Sequence, residues 1–326
     1  GDPKGVLISY NNFISCFNSK KKIFYDKKKN LIFGNYHDPS FVISLVILFP
    51  CLYLKSTISP SKNVYETLDP IEHIKKNKVN VLITVPSTIE KIKELKKYNN
   101  LKDFFYFIIM CGEPFSSKLA EFIINEIRPK KLFNFYGSTE VSPWIFYYQL
   151  NKKKLKELKE FEFVPVGMPL ENVKIKIINR ELLVSGPVVT RGYIDDKQNK
   201  EAYIVQKNNN WFRTKDQIFK FKNQYFVKGR IDNVIKIQGY RVDLGDIEKN
   251  IRKISKVEEV LVYLKSISNR KILSCVIKSK LKISKEEIAK KLQEDIPSYM
   301  IPKRIFFKKN FSFNRSGKID RKKLMI

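Results

Sequence analysis

Between residues 79 and 136 the chain alternates apolar strand patterns with amphipathic helix patterns. The strand patterns cover 79–85, 104–111 and 131–136, and the helix patterns between them cover 88–97 and 118–127. This alternation predicts parallel strands joined by crossover helices, which is an α/β fold with a doubly wound parallel sheet. Ligands of such sheets bind beyond the carboxyl ends of the strands. The segments 111–113 and 136–140 are predicted to lie at two of these ends.

The pattern changes twice along the remaining chain. From about residue 164 it consists of short strands and turns, with strands predicted at 173–178, 181–184 and 224–228, which indicates a β-rich subdomain. After residue 232 it predicts a small α+β domain, with its strands and helices at 234–238, 244–254, 257–264, 272–278 and 285–296. Because 326 residues exceed the length at which single cores stop growing, we expect two domains, at 1–232 and 233–326.

Two helix starts carry capping-box patterns, in which a Ser precedes a Glu by three residues. Ser87 with Glu90 predicts the start of the helix at 88–97, and Ser284 with Glu287 predicts the start of the helix at 285–296.

The formal charge of +30 comes from 63 Lys and Arg residues against 33 Asp and Glu residues. A nucleic-acid binder would concentrate its basic residues on one face together with stacking aromatics. Here lysine is spread along the whole chain, which favours a solvated surface and no nucleic-acid partner. The charge can still attract an acidic partner protein.

The cysteine spacing, the histidine count and the hydropathy pattern argue against a cysteine or histidine metal site and against a membrane span. The four cysteines form no CxxC pair, and with only two histidines a multi-histidine metal site is excluded. Reduced thiols of this kind favour a cytoplasmic protein. The longest apolar run, 41–54, is too short for a membrane span of about 20 residues and contains Pro50, so it predicts a buried helix or a pocket wall.

Three motifs follow one another along the chain: Asn134-Phe-Tyr-Gly-Ser-Thr-Glu140, Gly229-Arg-Ile-Asp232 and, near the end, Asn314-Arg-Ser-Gly-Lys-Ile-Asp-Arg321. In this order they resemble the AMP-forming adenylation enzymes, the superfamily of acyl-CoA synthetases, peptide-synthetase adenylation domains and luciferases. The resemblance implies an ATP-dependent ligase that activates a carboxylate as an acyl-adenylate and passes it to a thiol.

The resemblance also implies roles for individual residues at the nucleotide. Asn134 would contact the adenine edge, Tyr136 would pack on its face, Thr139 would contact the α-phosphate and Glu140 would bind Mg²⁺, which prefers carboxylate oxygens. Other residues would complete the ATP/AMP site, namely Lys4, Gly112, Glu113, Gly137 and Ser138.

Later residues would complete the catalytic machinery. Asp216 would accept hydrogen bonds from the ribose hydroxyls, although Lys215 stands where the family has a glycine. Arg230 would touch the ribose or a phosphate, and Asp232 would be the hinge of a mobile C-terminal domain. Lys318 would be the catalytic lysine, because its charge can align the substrate carboxylate and stabilise the transition state.

The substrate is predicted to be an amino acid. Asp38 stands where amino-acid-activating relatives hold the substrate ammonium, while Cys111 and Phe135 would line the pocket as in the D-alanine–carrier-protein ligases. The acceptor would then be the phosphopantetheine thiol of an acidic carrier protein. Asp38 as a turn residue and Cys111 as an inert buried thiol are the competing interpretations.

A basic nucleic-acid-binding protein stays open as an alternative at this stage, and so do two further functions. One is an acyl- or aryl-CoA ligase, with CoA as the acceptor, in which Asp38 would not face the acid. The other is a non-catalytic nucleotide-binding fragment, because the chain is expected to start partway through the phosphate loop, at Gly1-Asp-Pro-Lys-Gly5, and to lack the subdomain that precedes it.

Overall fold

The computed structural model describes residues 5–19, 30–206, 209–232, 234–237, 240–267, 270–279, 281–312 and 321–324. The chain divides into two compact units at Ile231 and Asp232. Each unit has its own core, and they are described separately.

Within the described residues, seven strands form the main sheet of the first unit. In chain order they are β1 (Ile32–Asn35), β2 (Thr57–Pro60), β3 (Val81–Thr84), β4 (Phe107–Met110), β5 (Lys131–Tyr136), β6 (Phe146–Leu150) and β7 (Met168–Pro169). Their order across the sheet is β2-β1-β3-β4-β5-β6-β7. The pairs from β2 to β5 are parallel, and β6 and β7 add an antiparallel edge. The predicted α/β fold class is therefore confirmed.

The central strands β3 and β4 are buried on both faces, because their alternate side chains belong to two separate cores. In β4, Phe107 and Ile109 belong to one cluster, while Ile108 and Met110 belong to the other. Successive side chains of a strand point to opposite faces. This double burial explains why the strands read as continuous apolar runs rather than as alternating ones.

The helices of the first unit pack on this sheet and on its connections, except for the last of them, which contacts the antiparallel sheet described below. They are α1 (Tyr10–Asn18), α2 (Val42–Tyr53), α3 (Val64–Leu68), α4 (Ile71–Lys76), α5 (Pro86–Glu94), α6 (Ser117–Phe122), α7 (Lys152–Glu157) and α8 (Asp196–Ala202). The apolar run at 41–54 forms α2 and keeps Pro50 inside the helix. In the described residues no helix is both long and apolar enough to cross a membrane.

The predicted capping box at Ser87 and Glu90 is wrong. Helix α5 begins at Pro86, two residues before the predicted start, with Val85 as an N-cap that makes no side-chain hydrogen bond. Proline is favoured at the first helical position because it has no N–H to leave unpaired. Ser87 therefore lies inside the helix, where its backbone N–H donates to Glu113.

A second, antiparallel sheet follows in the same unit, as the β-rich pattern predicted. Its strands are β8 (Lys174–Ile178), β9 (Glu181–Ser185), β10 (Tyr203–Gln206), β11 (Asn209–Phe221) and β12 (Gln224–Arg230). Their order is β10-β11-β9-β8, with β12 paired to β11.

An irregularity interrupts the long strand β11. Its register with β9 shifts between Arg213 and Gln217. Within this bulge Lys215 has a left-handed backbone, with φ of 62°. The Lys215 N–H donates to Glu181 at 3.1 Å. Bulges re-aim side chains at functional sites, and this one sets the position of Asp216, directly opposite Arg230 on β12.

The second unit is the predicted small α+β domain. Its elements are β13 (Val234–Ile237), β14 (Tyr240–Asp243), α9 (Leu244–Arg252), β15 (Val257–Ile267), β16 (Arg270–Ser279), α10 (Lys285–Asp295), β17 (Arg304–Phe307) and α11 (Arg321–Leu324). The Ser284 hydroxyl caps α10 by accepting the N–H of Glu287 at 3.0 Å. The Glu287 carboxylate pairs with Lys256 at 3.0 Å.

The left-handed conformation of Lys215 generates a stability prediction. A non-glycine residue in this region costs about 1–2 kcal/mol, and glycine removes that cost while adding about 0.5–1 kcal/mol of chain entropy. We expect Lys215→Gly to raise the free energy of unfolding by up to about 1 kcal/mol, measured by urea denaturation.

The matched control is Lys220→Gly in the same strand, where the backbone is not left-handed. This change should lower the free energy of unfolding by about 0.5–1 kcal/mol, since glycine weakens a strand interior. Equal losses in the two variants would contradict the strain argument.

Candidate functional site

The carboxyl ends of the parallel strands bring several predicted residues to one edge of the main sheet. His37 and Asp38 follow β1, Cys111 and Gly112 follow β4, and Tyr136 ends β5. Parallel strands end on the same side, so these segments share an edge although they are distant in sequence.

The bulge in β11 brings a second group to the end of β5. The Tyr136 hydroxyl donates a short hydrogen bond to Oδ2 of Asp216. Arg230 Nη1 donates to Oδ1 of the same carboxylate at 2.9 Å and to the Thr214 carbonyl at 2.9 Å. Three residues that the sequence predicted separately at the nucleotide thus form one hydrogen-bonded group.

This group is largely withdrawn from water. The Arg230 and Asp216 side chains are 15% and 16% exposed. Burial, followed by the charge of Asp216, raises the pKa of the Tyr136 hydroxyl well above its usual value. Tyr136 therefore stays a neutral donor, and the Asp216 N–H is held by Thr214 Oγ1 at 3.0 Å.

The segment after β5 turns tightly past its own chain. A Cβ atom at Gly137 would collide with the carbonyl oxygen of Pro143, so the close approach requires glycine here. Ser138 precedes a 3₁₀ turn, Thr139–Val141. The Ser138 hydroxyl is buried and makes no hydrogen bond within the described part of the chain. Such an atom is a candidate contact for a bound oxygen-rich group, since unpaired buried polar groups are rare.

Glu140 is a buried carboxylate, 4% exposed. Its Oε1 accepts a hydrogen bond from the Tyr193 hydroxyl at 2.7 Å. The neighbouring Tyr203 has its pKa raised to about 12, mainly by burial. Its hydrogen bond with Thr190 lowers that pKa, and the charge of Glu140 raises it.

Glu113 and Asn134, which were predicted to bind the nucleotide, make hydrogen bonds with other residues of the protein. The Glu113 carboxylate accepts the N–H of Ser87 at 2.9 Å and its hydroxyl at 3.2 Å, and so stabilises the start of α5. The Asn134 amide donates to the carbonyl of Pro165 at 3.0 Å. Their contacts with adenine or phosphate stay predictions.

Cys111 and Phe135, the predicted pocket walls, are 2% and 1% exposed and belong to the same core cluster. The Phe135 ring packs against Trp144 with centroids 4.5 Å apart. Cys111 donates its backbone N–H to the Thr84 carbonyl at 3.0 Å. All four cysteines are reduced and buried.

Asp38 is an exposed turn residue. Its Oδ1 accepts the Ser40 N–H at 2.8 Å and the Ser40 hydroxyl at 2.6 Å, and these bonds hold its pKa below the usual value. This geometry is that of the competing turn interpretation, and the ammonium contact stays a prediction. The adjacent His37 is half-buried, and its partial withdrawal from water lowers its pKa to about 4.

Two predicted residues lie outside the described part of the chain, namely Lys4 and Lys318. Asp232 is described, and its Oδ1 accepts the Val234 N–H at 3.3 Å. In the described residues no three His, Cys, Asp or Glu side chains cluster closely enough to hold a metal ion on their own.

No role at the site was predicted from the sequence for Tyr193, Ser87 and Thr214, which make hydrogen bonds with Glu140, Glu113 and Asp216 respectively. Tyr193 is 53 positions from Glu140 along the chain. No local pattern links such distant residues, so only the fold reveals the contact.

Comparison with known proteins agrees with this architecture. A D-alanine–D-alanyl carrier protein ligase of Lactococcus lactis subsp. lactis (strain IL1403) is 27% identical over 344 residues, covering 99% of this chain and 67% of that protein. The same-named ligase of Staphylococcus aureus (strain Newman) is 27% identical over 342 residues, covering 99% of this chain and 68% of that protein. The chain thus spans about two thirds of the length of these curated relatives.

A solved structure shares the fold. The Vibrio cholerae adenylation domain AlmE, in complex with glycyl-adenosine-5'-phosphate, superposes with a TM-score of 0.86 at 22% identity, covering 99% of this chain and 64% of that one. Residues 1–194 match the family model described as AMP-binding enzyme. The chain therefore belongs to the AMP-binding enzyme family.

Proposed function

We propose that this chain activates an amino acid with ATP, forming an aminoacyl-adenylate and pyrophosphate, and transfers the aminoacyl group to the phosphopantetheine thiol of a carrier protein. We place this activity in the cytoplasm, where thiols stay reduced. The observation that carries the proposal is the group of Tyr136, Asp216 and Arg230 at the carboxyl end of β5.

This group suits the nucleoside part of ATP. The Asp216 carboxylate can accept hydrogen bonds from ribose hydroxyls, because each of its oxygens has more than one lone pair. Tyr136 and Arg230 hold that carboxylate from both sides, and the Tyr136 ring would pack on adenine. Asn134 would contact the adenine edge.

The segment after β5 suits the phosphates and a cation. The unpaired hydroxyl of Ser138 fits a phosphate oxygen, and Gly137 permits the close approach of the backbone. Thr139 would contact the α-phosphate, with Lys4, Gly112 and Glu113 completing the nucleotide site. Glu140 would be the protein ligand of Mg²⁺, which neutralises phosphate charge when bound.

The proposal assigns the remaining chemistry to the C-terminal unit. Lys318 would align the substrate carboxylate with the α-phosphate and stabilise the charge that develops between them. Asp232, at the division between the two units, would be the hinge that lets adenylation and thiol transfer use different domain poses.

The amino-acid substrate and the carrier protein draw support from relatives. The Lactococcus and Staphylococcus proteins are named for D-alanine and a D-alanyl carrier protein. The AlmE structure holds a glycyl-adenylate. In this chain Asp38 would bind the substrate ammonium, and Cys111 and Phe135 would bound a small side chain.

Amino-acid-dependent exchange of pyrophosphate into ATP tests the reaction. We expect one among the twenty L-amino acids and D-alanine to support exchange. Lys318→Ala should reduce the rate at least ~100-fold, because it removes a charge that acts on the transition state. The assay measures labelled ATP.

Calorimetric titration with AMP is the control for folding. Lys318→Ala should keep its AMP affinity within about threefold, since the loss lies in the transition state rather than in nucleotide binding. Absence of exchange with every amino acid, together with intact AMP binding, would favour a non-catalytic nucleotide-binding protein.

The ammonium role of Asp38 has its own test. Asp38→Asn keeps the turn geometry but removes the charge, so we expect the KM for the amino acid to rise ~10-fold or more, since hydrogen bonds between charged groups are worth about 1.5–3 kcal/mol. The AMP affinity should not change.

Asp195→Asn is the matched control, because Asp195 is also an exposed carboxylate that accepts a backbone N–H two residues on, from Lys197 at 3.0 Å. It should leave the KM unchanged. Activity on an amino acid that survives Asp38→Asn unaltered would instead favour an acyl- or aryl-CoA ligase.

A further inference from the structure

Glu140 presents a physical problem, because a buried carboxylate is costly without compensating partners. The group is 4% exposed. The Tyr193 hydroxyl approaches its Oε1 at 2.7 Å and donates a hydrogen bond to it. A charge-assisted hydrogen bond to one carboxylate oxygen restrains the orientation of the group.

Tyr193 is itself held firmly. Its backbone N–H donates to Asn199 Oδ1 at 2.7 Å, and Asn199 Nδ2 returns a bond to the Tyr193 carbonyl at 3.0 Å. The residue is 5% exposed. Its ring packs edge-on against Tyr203, with centroids 6.1 Å apart. The hydroxyl therefore meets Glu140 from a fixed direction.

The segment around Tyr193 also pairs with the start of the described chain. Val6 bridges Tyr193 in antiparallel fashion. The Leu7 N–H donates to the Gly192 carbonyl at 2.8 Å, and the Ile194 N–H donates to the Gly5 carbonyl at 2.9 Å. Residues 5–7, which follow Lys4, are thus hydrogen-bonded alongside the segment that contains Tyr193.

We propose that Tyr193 is a positioning residue for the cation site, since its hydroxyl orients the Glu140 carboxylate toward Mg²⁺. This inference rests on the proposed function, which makes Glu140 the Mg²⁺ ligand. Tyr193 would not touch the ion or the nucleotide. Groups that orient a metal ligand typically change metal affinity when they are removed.

The experiment measures ATP binding to the full chain by calorimetry over a series of Mg²⁺ concentrations, with AMP binding without Mg²⁺ in parallel. Tyr193→Phe keeps the ring and removes only the hydroxyl. We expect the Mg²⁺ concentration for half-maximal enhancement of ATP binding to rise ~10-fold. The AMP affinity should stay within twofold, whereas a merely structural loss would weaken AMP and ATP binding alike.

Tyr203→Phe is the matched control, because that hydroxyl meets Thr190 at 2.9 Å instead of the carboxylate. It should leave the Mg²⁺ dependence unchanged. In a Glu140→Gln background, Tyr193→Phe should add no further shift, because the ligand that it orients has lost its charge. This background also relieves the buried charge, so it supplies a folded comparison if the single variant is unstable.

The outcomes separate this inference from the proposed function. A Mg²⁺ dependence that disappears in Glu140→Gln but is unaltered in Tyr193→Phe would overturn the role of Tyr193 and leave the proposed function standing. A Mg²⁺ dependence that survives Glu140→Gln would overturn both the assignment of Glu140 and the role of Tyr193.

Discussion

One largely buried carboxylate, that of Asp216, connects the two sheets of the first unit. Asp216 comes from the antiparallel sheet, and its oxygens are held by Tyr136, from the end of the main sheet, and by Arg230 from the neighbouring strand. Withdrawing an ion pair from water is favourable only when its hydrogen bonds are made, and removing one partner of a fully buried pair costs about 3–5 kcal/mol. The contact therefore joins the two sheets and, at the same time, presents three polar groups at the edge where ligands of parallel sheets bind.

Two features of the backbone lie next to the hydrogen bond between Tyr136 and Asp216. The bulge around Lys215 aims Asp216 across the strand pair, at the cost of a left-handed residue. Gly137 lets the chain after β5 pass close to Pro143. Neither feature improves the core. The left-handed backbone of Lys215 is understandable as local strain that the surrounding hydrogen bonds of a functional site maintain.

Much of the fold could be predicted, because burial on both faces leaves long apolar runs. The strand at 131–136 was predicted to the residue, and the strand at 104–111 was predicted too long at its start. The capping box at Ser87 failed because Pro86 starts the helix and Glu113, from another strand end, binds Ser87 instead. Asp38 shows the same limit, because the hydrogen bonds of its carboxylate with Ser40 became visible only in the structure, while its contact with the substrate ammonium stays a prediction.

The sequence by itself determined the family and the α/β class, since both rest on residue order, periodicity and short motifs such as Asn134 to Glu140. Only the tertiary structure decided which side chains hold those motifs in place. Tyr193 and Glu140 are 53 positions apart, and Tyr136 and Asp216 are 80 positions apart. The physical reason is that a hydrogen bond depends on ångström-scale placement across elements, which periodicity along one element does not encode.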